Sequence, residues 1–351
     1  MTQRNLITLA IDGRQVTAPQ GVTILEAARR NGVYIPTLCD DQRLEPYGGC
    51  RLCLVQVKAM PKPVTACTTP ATDGMEIETS NDEIERLRRT ILELVLAGHP
   101  NDCMLCEKAG DCTLQELFYF YKLKTSRFSG EKNPVPEKNE NPFIDWDMEK
   151  CILCGKCVRV CNQVQGVSAV DFAFRGFKAK VSTPGEKGLE CEFCGQCVSV
   201  CPTGALTGKE SLGKGRLKDV RLVETICPYC GCGCNLTLHV IRNTVIRVAS
   251  RPDTVNEGWL CVKGRFGSSF IQSPERLTTP LIRKNGVFVK ASWEEALQCT
   301  AEKLAAIKET HGPDAIGGLS SARCTNEENY LFQKFMRAAV GTNNVDHCAW
   351  Y

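Results

Sequence analysis

Apolar and polar residues alternate early in the chain, through Leu6-Ile7-Thr8-Leu9-Ala10-Ile11, pause at Asp12-Gly13, and resume through Arg14-Gln15-Val16-Thr17-Ala18. Period two on both sides of a two-residue turn predicts a β-hairpin over residues 5–18. Thr23 followed by Glu26 has the form of a capping box, and Gly32 after Ala27-Ala28-Arg29-Arg30-Asn31 closes the helix it opens. The period lengthens over residues 82–97, where Ile84, Leu87, Ile91, Leu94 and Val95 share one helical face that stops at Gly98. A second helix is predicted from Thr113 to Leu123, its aromatic residues packing on a neighbouring module. Residues 124–142 are polar with three prolines and read as an extended linker. Alternation returns at 235–240 and 245–249, which predicts two strands. Past Arg276, Ser292 with Glu295 forms a capping box for a long helix, a strand follows Pro313, and Ser320, Ser321 and Arg323 occupy a loop. Thr325 or Asn326 then caps a helix that Gly341 ends.

Composition changes the picture at one point: 23 of the 351 residues are cysteine, spread through most of the chain. The first ten residues hold no basic region leading into a long apolar run, so a secretory leader is not expected, and the thiols read as metal ligands in a reducing compartment. Several small metal-stapled modules fit better than one large core. No apolar run approaches the roughly 18 residues of a membrane helix. With a net charge of +3 and mixed acids and bases, no basic stripe points to nucleic acid.

The spacing C-x2-C-x2-C-x3-C occurs twice, at Cys151, Cys154, Cys157, Cys161 and at Cys191, Cys194, Cys197, Cys201, the second copy ending in Cys201-Pro202. In a bacterial two-cluster ferredoxin the fourth cysteine of each run ligates the other cluster. The spacing therefore assigns Cys151, Cys154, Cys157 and Cys201 to one [4Fe-4S] cluster, and Cys191, Cys194, Cys197 and Cys161 to a second. Zinc ribbons and disulfides are the alternatives, though zinc sites usually take two C-x2-C pairs.

Strand, strand, helix and then a cysteine loop is the order of a β-grasp ferredoxin. Cys39, Cys50, Cys53 and Cys67 follow in that order, and this region resembles the N-terminal [2Fe-2S] domain of complex I's large iron–sulfur subunit and of multi-cluster iron hydrogenases. Gly48 and Gly49 are expected to let the loop backbone close on the cluster. His99-x3-Cys103-x2-Cys106-x5-Cys112 resembles the [4Fe-4S] module of the same families, which implies one imidazole and three thiolate ligands. Four thiolates at the first site would also suit zinc.

The set Cys227, Cys230, Cys234 and Cys261 resembles the N-terminal [4Fe-4S] domain of molybdenum or tungsten bis-pterin oxidoreductases, most closely formate dehydrogenase catalytic subunits. That resemblance implies that Lys263 lies between the cluster and one pterin, binding cofactor and favouring electron passage. Cys232 stands where that family has an apolar residue, so the choice between Cys232 and Cys234 stays open, and a zinc knuckle is the alternative for the set. Cys299, Cys324 and Cys348 have no partners at ligand spacing and read as spare thiols.

Together these readings give a multi-domain α+β chain. Its expected parts are a β-grasp [2Fe-2S] ferredoxin (1–81), a helical module with one histidine and three cysteine ligands (82–123), a linker (124–142), a two-[4Fe-4S] ferredoxin (143–210), a small β-rich molybdopterin-oxidoreductase [4Fe-4S] domain (220–276) and the truncated start of an α/β pterin domain (277–351). The resemblance implies one [2Fe-2S] and four [4Fe-4S] clusters, with a molybdenum or tungsten bis-pterin guanine dinucleotide in the full-length protein. It implies a cytoplasmic formate dehydrogenase converting formate to carbon dioxide, with partners that carry flavin and NAD(P) sites or take ferredoxin. The segment Gly341–Ala349 resembles the lead-in to the catalytic selenocysteine or cysteine, expected at about position 352, although Trp350 replaces the expected arginine. A chain cut at a selenocysteine codon, inactive on formate, is therefore expected. The alternative is a non-catalytic electron-transfer subunit of a hydrogenase or complex I-like NADH oxidoreductase.

Overall fold

A computed structural model describes residues 6–130 and 140–348. The chain divides into two compact units, residues 1–221 with 239–247, and residues 222–238 with 248–351. Most of the expected linker, residues 131–139, lies outside the described residues, as does the chain end. No described helix is long and apolar enough to cross a membrane.

The first unit opens with the predicted hairpin, β1 (Leu6–Ile11) and β2 (Arg14–Pro19), paired antiparallel from Leu6 with Pro19 to Ile11 with Arg14. Helix α1 (Ile24–Arg30) follows, then β3 (Leu54–Val57), β4 (Val64–Thr65) and β5 (Glu76–Glu78). Their order in the sheet is β2-β1-β5-β3-β4, with β5 parallel to β1. Alternation sends Leu9 and Ile11 inward against Ile24, Ala27, Ala28, Val55 and Ile77, each buried aliphatic side chain contributing about 1.5–3 kcal/mol. Thr23 caps α1 by accepting from the Glu26 N–H, but Glu26 turns to Arg30, so the expected reciprocal box is half made.

Helix α2 (Asp82–Gly98) is capped by Asn81, and its buried face differs from the expected one. Ile84, Arg88, Leu92 and Glu93 are buried, whereas Leu94 is 54% exposed. The reason is tertiary: the Arg88 guanidinium donates to the Leu54 and Thr79 carbonyls at 2.7 and 2.9 Å, and Glu93 accepts from Arg127 Nε at 2.8 Å. Helix α3 (Thr113–Phe120) packs Leu114 and Leu117 with Leu38, Leu52, Leu92 and Tyr121. The expected packing of its aromatic residues on a neighbouring module holds for Tyr121, buried with Leu38 and Leu52, and for Phe120, edge-on to Tyr34, while Tyr119 is largely exposed.

Two short antiparallel pairs frame the next module, β6 (Ile144–Trp146) with β9 (Leu206–Gly208), and β7 (Asp171–Ala173) with β8 (Lys180–Ser182). Between them lie α4 (Lys156–Arg159), which runs on as a wider turn to Val164, and α5 (Gln196–Val200).

Strands β10 (Arg221–Ile226), β11 (Asn235–Ile241) and β12 (Thr244–Ala249) form one sheet in that order. In the second unit α6 (Val262–Phe266) is followed by the hairpin of β13 (Leu281–Lys284) and β14 (Val287–Lys290), then α7 (Trp293–His311). Strand β15 (Gly318–Ser321), α8 (Asn326–Phe335) and β16 (Val345–Cys348) complete it, β16 pairing parallel with β15. Both expected capping boxes form, at Ser292 with Glu295 and at Thr325 with Glu328. Ser320 and Ser321 belong to β15 instead of the expected loop, because the unanticipated β16 supplies them with ladder partners.

Candidate metal centres

The loop from Cys151 to Cys157 reverses twice around Cys154. Leu153 has φ +53° and Gly155 φ +69°, and the second copy repeats this with Phe193 at +49° and Gly195 at +70°. A left-handed leucine or phenylalanine costs about 1–2 kcal/mol, so its recurrence in both copies marks a loop whose shape serves its thiols. The turns aim backbone N–H groups at sulfur, Leu153 at Cys151 (3.4 Å) and Phe193 at Cys191 (3.2 Å), and the Ala169 N–H, outside them, donates to Cys161 (3.2 Å). Such donors stabilise thiolate and shift a cluster's potential.

The thiols gather in two groups. Cys157 feels Cys154, Cys151 and Cys201, then Cys197 more weakly. Cys197 feels Cys194, Cys191 and Cys161. The trailing cysteine of each run is thus an electrostatic neighbour of the other run's triplet. Burial pushes the Cys154 thiol up to about 12 and Cys151 to about 11, and desolvation likewise lifts Cys197 to about 12. Desolvated thiols at this density resist ionising unless a cation offsets the charge, which is the donor chemistry an iron–sulfur cluster requires.

Cys39, Cys53 and Cys67 are 1%, 1% and 2% exposed, and the last two belong to the hydrophobic core of the first sheet. Cys50 is half-buried, and its N–H donates to Cys39 Sγ at 3.4 Å. Cys53 has Cys67, Cys50 and Cys39 as electrostatic neighbours. A Cβ at Gly49 would also lie 2.3 Å from the Tyr47 ring, so the aromatic neighbour by itself disfavours a side chain there. Gly48, at φ +67°, satisfies the backbone requirement directly.

His99 caps the C-terminus of α2, half-buried, its N–H bonded to the Leu96 carbonyl at 3.1 Å. Cys103 and Cys112 both feel Cys106, and burial raises both thiols. This group lies against the ferredoxin-like module, where Thr113 N–H donates to the Pro202 carbonyl at 3.0 Å. A Cβ on Gly204 would stand 2.8 Å from Cys106 Sγ.

In the second unit the Cys227 N–H donates to the Cys234 carbonyl at 2.8 Å, closing the loop that carries four of its thiols. Cys227 is buried, Cys234 half-buried, and Cys230, Cys232 and Cys261 exposed. Cys234 feels Cys227, Cys232, Cys230 and Cys261, while Cys232 is hydrogen-bonded with Cys230, so both contenders stand within the group. Lys263 lies in the first turn of α6, two residues past Cys261, and is exposed. Cys299 is half-buried in α7 and Cys324 exposed after β15. Among the described residues no three histidine, cysteine, aspartate or glutamate side chains converge as donors of a single ion. The fit is therefore one of donor type and grouping.

Sequence reasoning missed the side chains that join these groups, chiefly Arg159 and Tyr47. The available signal was an arginine inside a ferredoxin run, at a position that supplies no ligand.

Five family models match in series. They are a 2Fe-2S iron–sulfur cluster binding domain (4–82), the NADH-ubiquinone oxidoreductase-G iron–sulfur binding region (88–127), the ferredoxin-like domain of NADH-quinone oxidoreductase subunit 3 (141–207), the molybdopterin oxidoreductase Fe4S4 domain (220–273) and molybdopterin oxidoreductase (276–351). The chain is 40% identical over 341 residues to the NADPH-Fe(3+) oxidoreductase subunit alpha of Geobacter sulfurreducens, covering 97% of this chain and 40% of that one. It is 39% identical over 344 residues to the second G-type subunit of the NADH-quinone oxidoreductase of Rhizobium meliloti, with 97% and 40% covered. The chain thus spans 40% of the length of these two curated relatives. A chain in the crystal structure of an NAD+-reducing [NiFe]-hydrogenase in the H2-reduced state aligns with TM-score 0.55 and 31% identity, over 58% of this chain and 87% of that one. On these matches the chain belongs to the family of iron–sulfur and molybdopterin-oxidoreductase proteins that includes the G-type subunits of NADH-quinone oxidoreductase.

Proposed function

We propose that this chain is the electron-transfer portion of a pyridine-nucleotide-linked oxidoreductase, working in the cytoplasm beside subunits that carry flavin and NAD(P) sites or take ferredoxin. One observation carries the reading: within a single compact unit the cysteine groups adjoin one another, Cys157 sensing Cys197 and Gly204 abutting Cys106. The names of the relatives, which join NADPH, NADH or NAD+ to other redox reactions, support it.

The proposed ligands are Cys39, Cys50, Cys53 and Cys67 for a [2Fe-2S] cluster. For four [4Fe-4S] clusters they are His99, Cys103, Cys106, Cys112; Cys151, Cys154, Cys157, Cys201; Cys191, Cys194, Cys197, Cys161; and Cys227, Cys230, Cys234, Cys261. When bound, such clusters supply one-electron carriers whose potentials follow charge, hydrogen bonding and exposure. The chain contributes the thiolates, the N–H groups of Leu153, Phe193 and Ala169 aimed at sulfur, and burial that excludes water. Anaerobic reconstitution should give about 18 irons, two from one site and four from each of four others. It should also give a protein reduced by NADPH or NADH only when a flavin-bearing partner is added. A colourless preparation holding about five zinc ions would overturn the reading. His99→Cys should keep its cluster and move its potential downward, because thiolate adds negative charge where imidazole stood. A potential that stays put removes His99 from the ligand set.

The formate reading is second. It is supported by the two molybdopterin oxidoreductase matches and by Lys263 two residues past Cys261. Formate-dependent dye reduction, with molybdenum or tungsten present, is its test.

A further inference from the structure

Arg159 lies between two ferredoxin-run cysteines, Cys157 and Cys161, yet its side chain leaves that module. Its guanidinium donates to the Cys39 carbonyl and, at 2.6 Å, to the Glu45 carbonyl, in the loop that holds the first candidate cluster. The Tyr47 ring lies 5.2 Å from it, and Tyr47 stacks in turn on Phe172. The neighbouring turns of the same helix face repeat the contact. Lys156 approaches Asp41 at 4.0 Å, and Gln163 accepts from the Glu45 N–H at 3.0 Å. Residues 156, 159 and 163 follow helical spacing, so one face of the helix clamps the 39–50 loop.

Arg159 is 8% exposed, and among the described residues no carboxylate pairs with it and its Nε has no acceptor. A buried cation held by two neutral carbonyls and a ring face is costly unless an anion lies close by. The group of Cys39, Cys50, Cys53 and Cys67 would supply that anion once it holds a cluster.

We propose that Arg159 is a positioning residue. It fixes the Cys39 loop against the ferredoxin-like module, and its charge holds up the potential of the cluster bound at Cys39, Cys50, Cys53 and Cys67. The inference rests on the ligand assignment above. Reduction adds an electron to the cluster, so a nearby fixed cation favours the reduced state.

The test uses the full chain, reconstituted anaerobically, with the paramagnetic signal of the reduced [2Fe-2S] cluster followed in a redox titration. In Arg159→Met the reduced-to-oxidised ratio at a fixed poise should fall about tenfold, the scale of one partly buried charge. The broadening of that signal by the neighbouring cluster should also weaken, because the clamp is released. Arg159→Lys keeps the charge but not the two-carbonyl fork, so it should restore the ratio and leave the broadening weakened. Arg127→Met, which removes an ion pair to Glu93, serves as the control and should change neither. Should Arg159→Met fail to hold its iron, Tyr47→Leu decides, since it removes the ring that lies between the guanidinium and Phe172 and should weaken the broadening by itself. A full iron count in Arg159→Met with unchanged ratio and broadening overturns the inference, as does an unchanged signal in Tyr47→Leu. A wild-type protein with no [2Fe-2S] signal would overturn the ligand assignment and the inference with it.

Discussion

Two four-thiol sites in this chain are built in opposite ways. Cys39, Cys53 and Cys67 sit at 1–2% exposure, and Cys53 and Cys67 pack in the cluster that contains Leu9 and Ile24. In the second unit only Cys227 of its set is buried, at 7% exposure, and the loop closes through a backbone bond from Cys227 to Cys234. The first site is part of a hydrophobic core, so its proposed ligands Cys53 and Cys67 are also packing residues. The second is a loop whose proposed ligands are mostly exposed. The same donor chemistry can thus be coupled to stability or separated from it, depending on whether the sheet or the loop supplies the sulfur.

The largest expected effect exposes that contrast directly. Cys53→Ala should lose the first cluster and destabilise the cluster-free protein by about 1–1.5 kcal/mol, through the cavity left in a packed core. Cys230→Ala should lose its cluster with a change within about 0.5 kcal/mol. Chemical denaturation of both apo variants checks this, and equal losses would break the comparison.

Gly204→Ala extends it to a third site. The added methyl must displace Cys106, whose Sγ lies 2.8 Å from the Cβ position, and overpacking of this kind costs about 1–2 kcal/mol. The spectrum of the cluster proposed at Cys106 should change while that at Cys227 does not. An unaltered spectrum would mean that the backbone yields instead.

Exposure should also govern how readily iron is lost. A chelator should remove iron from the Cys227, Cys230, Cys234 and Cys261 site about tenfold faster than from the Cys39 site, followed by the decay of each signal. The finest distinction lies inside the exposed loop. If Cys234 is the ligand, Cys234→Ser should abolish that cluster and Cys232→Ser should leave its iron count unchanged. The reverse result would transfer the role to Cys232.

The elements that were legible share one property: neighbours in sequence define them. The hairpin at Asp12-Gly13, the capping boxes at Ser292 and Thr325, and the helix stop at Gly341 each rest on contacts within a few residues. The buried face of α2 was misread at Leu94, because Arg88 finds its acceptors at Leu54 and Thr79, far outside any helical period. The parallel partner of β15 was missed for the same reason, since β16 comes to it only after the intervening helix.

Ligand spacing belongs to the sequence by itself. C-x2-C-x2-C-x3-C, twice, sets which thiols a tight loop can turn toward one point, and Cys201 is among the electrostatic neighbours of Cys157 as Cys161 is of Cys197. Tertiary structure alone decided how much water each group meets, and which charges stand beside it. Arg159 reaches the Cys39 carbonyl from 120 residues away, and the Tyr47 ring crowds the place a side chain would take at Gly49. Local sterics and hydrogen bonding act over the few residues a motif contains. Burial and the placement of a buried cation depend on segments that meet only when the chain has folded.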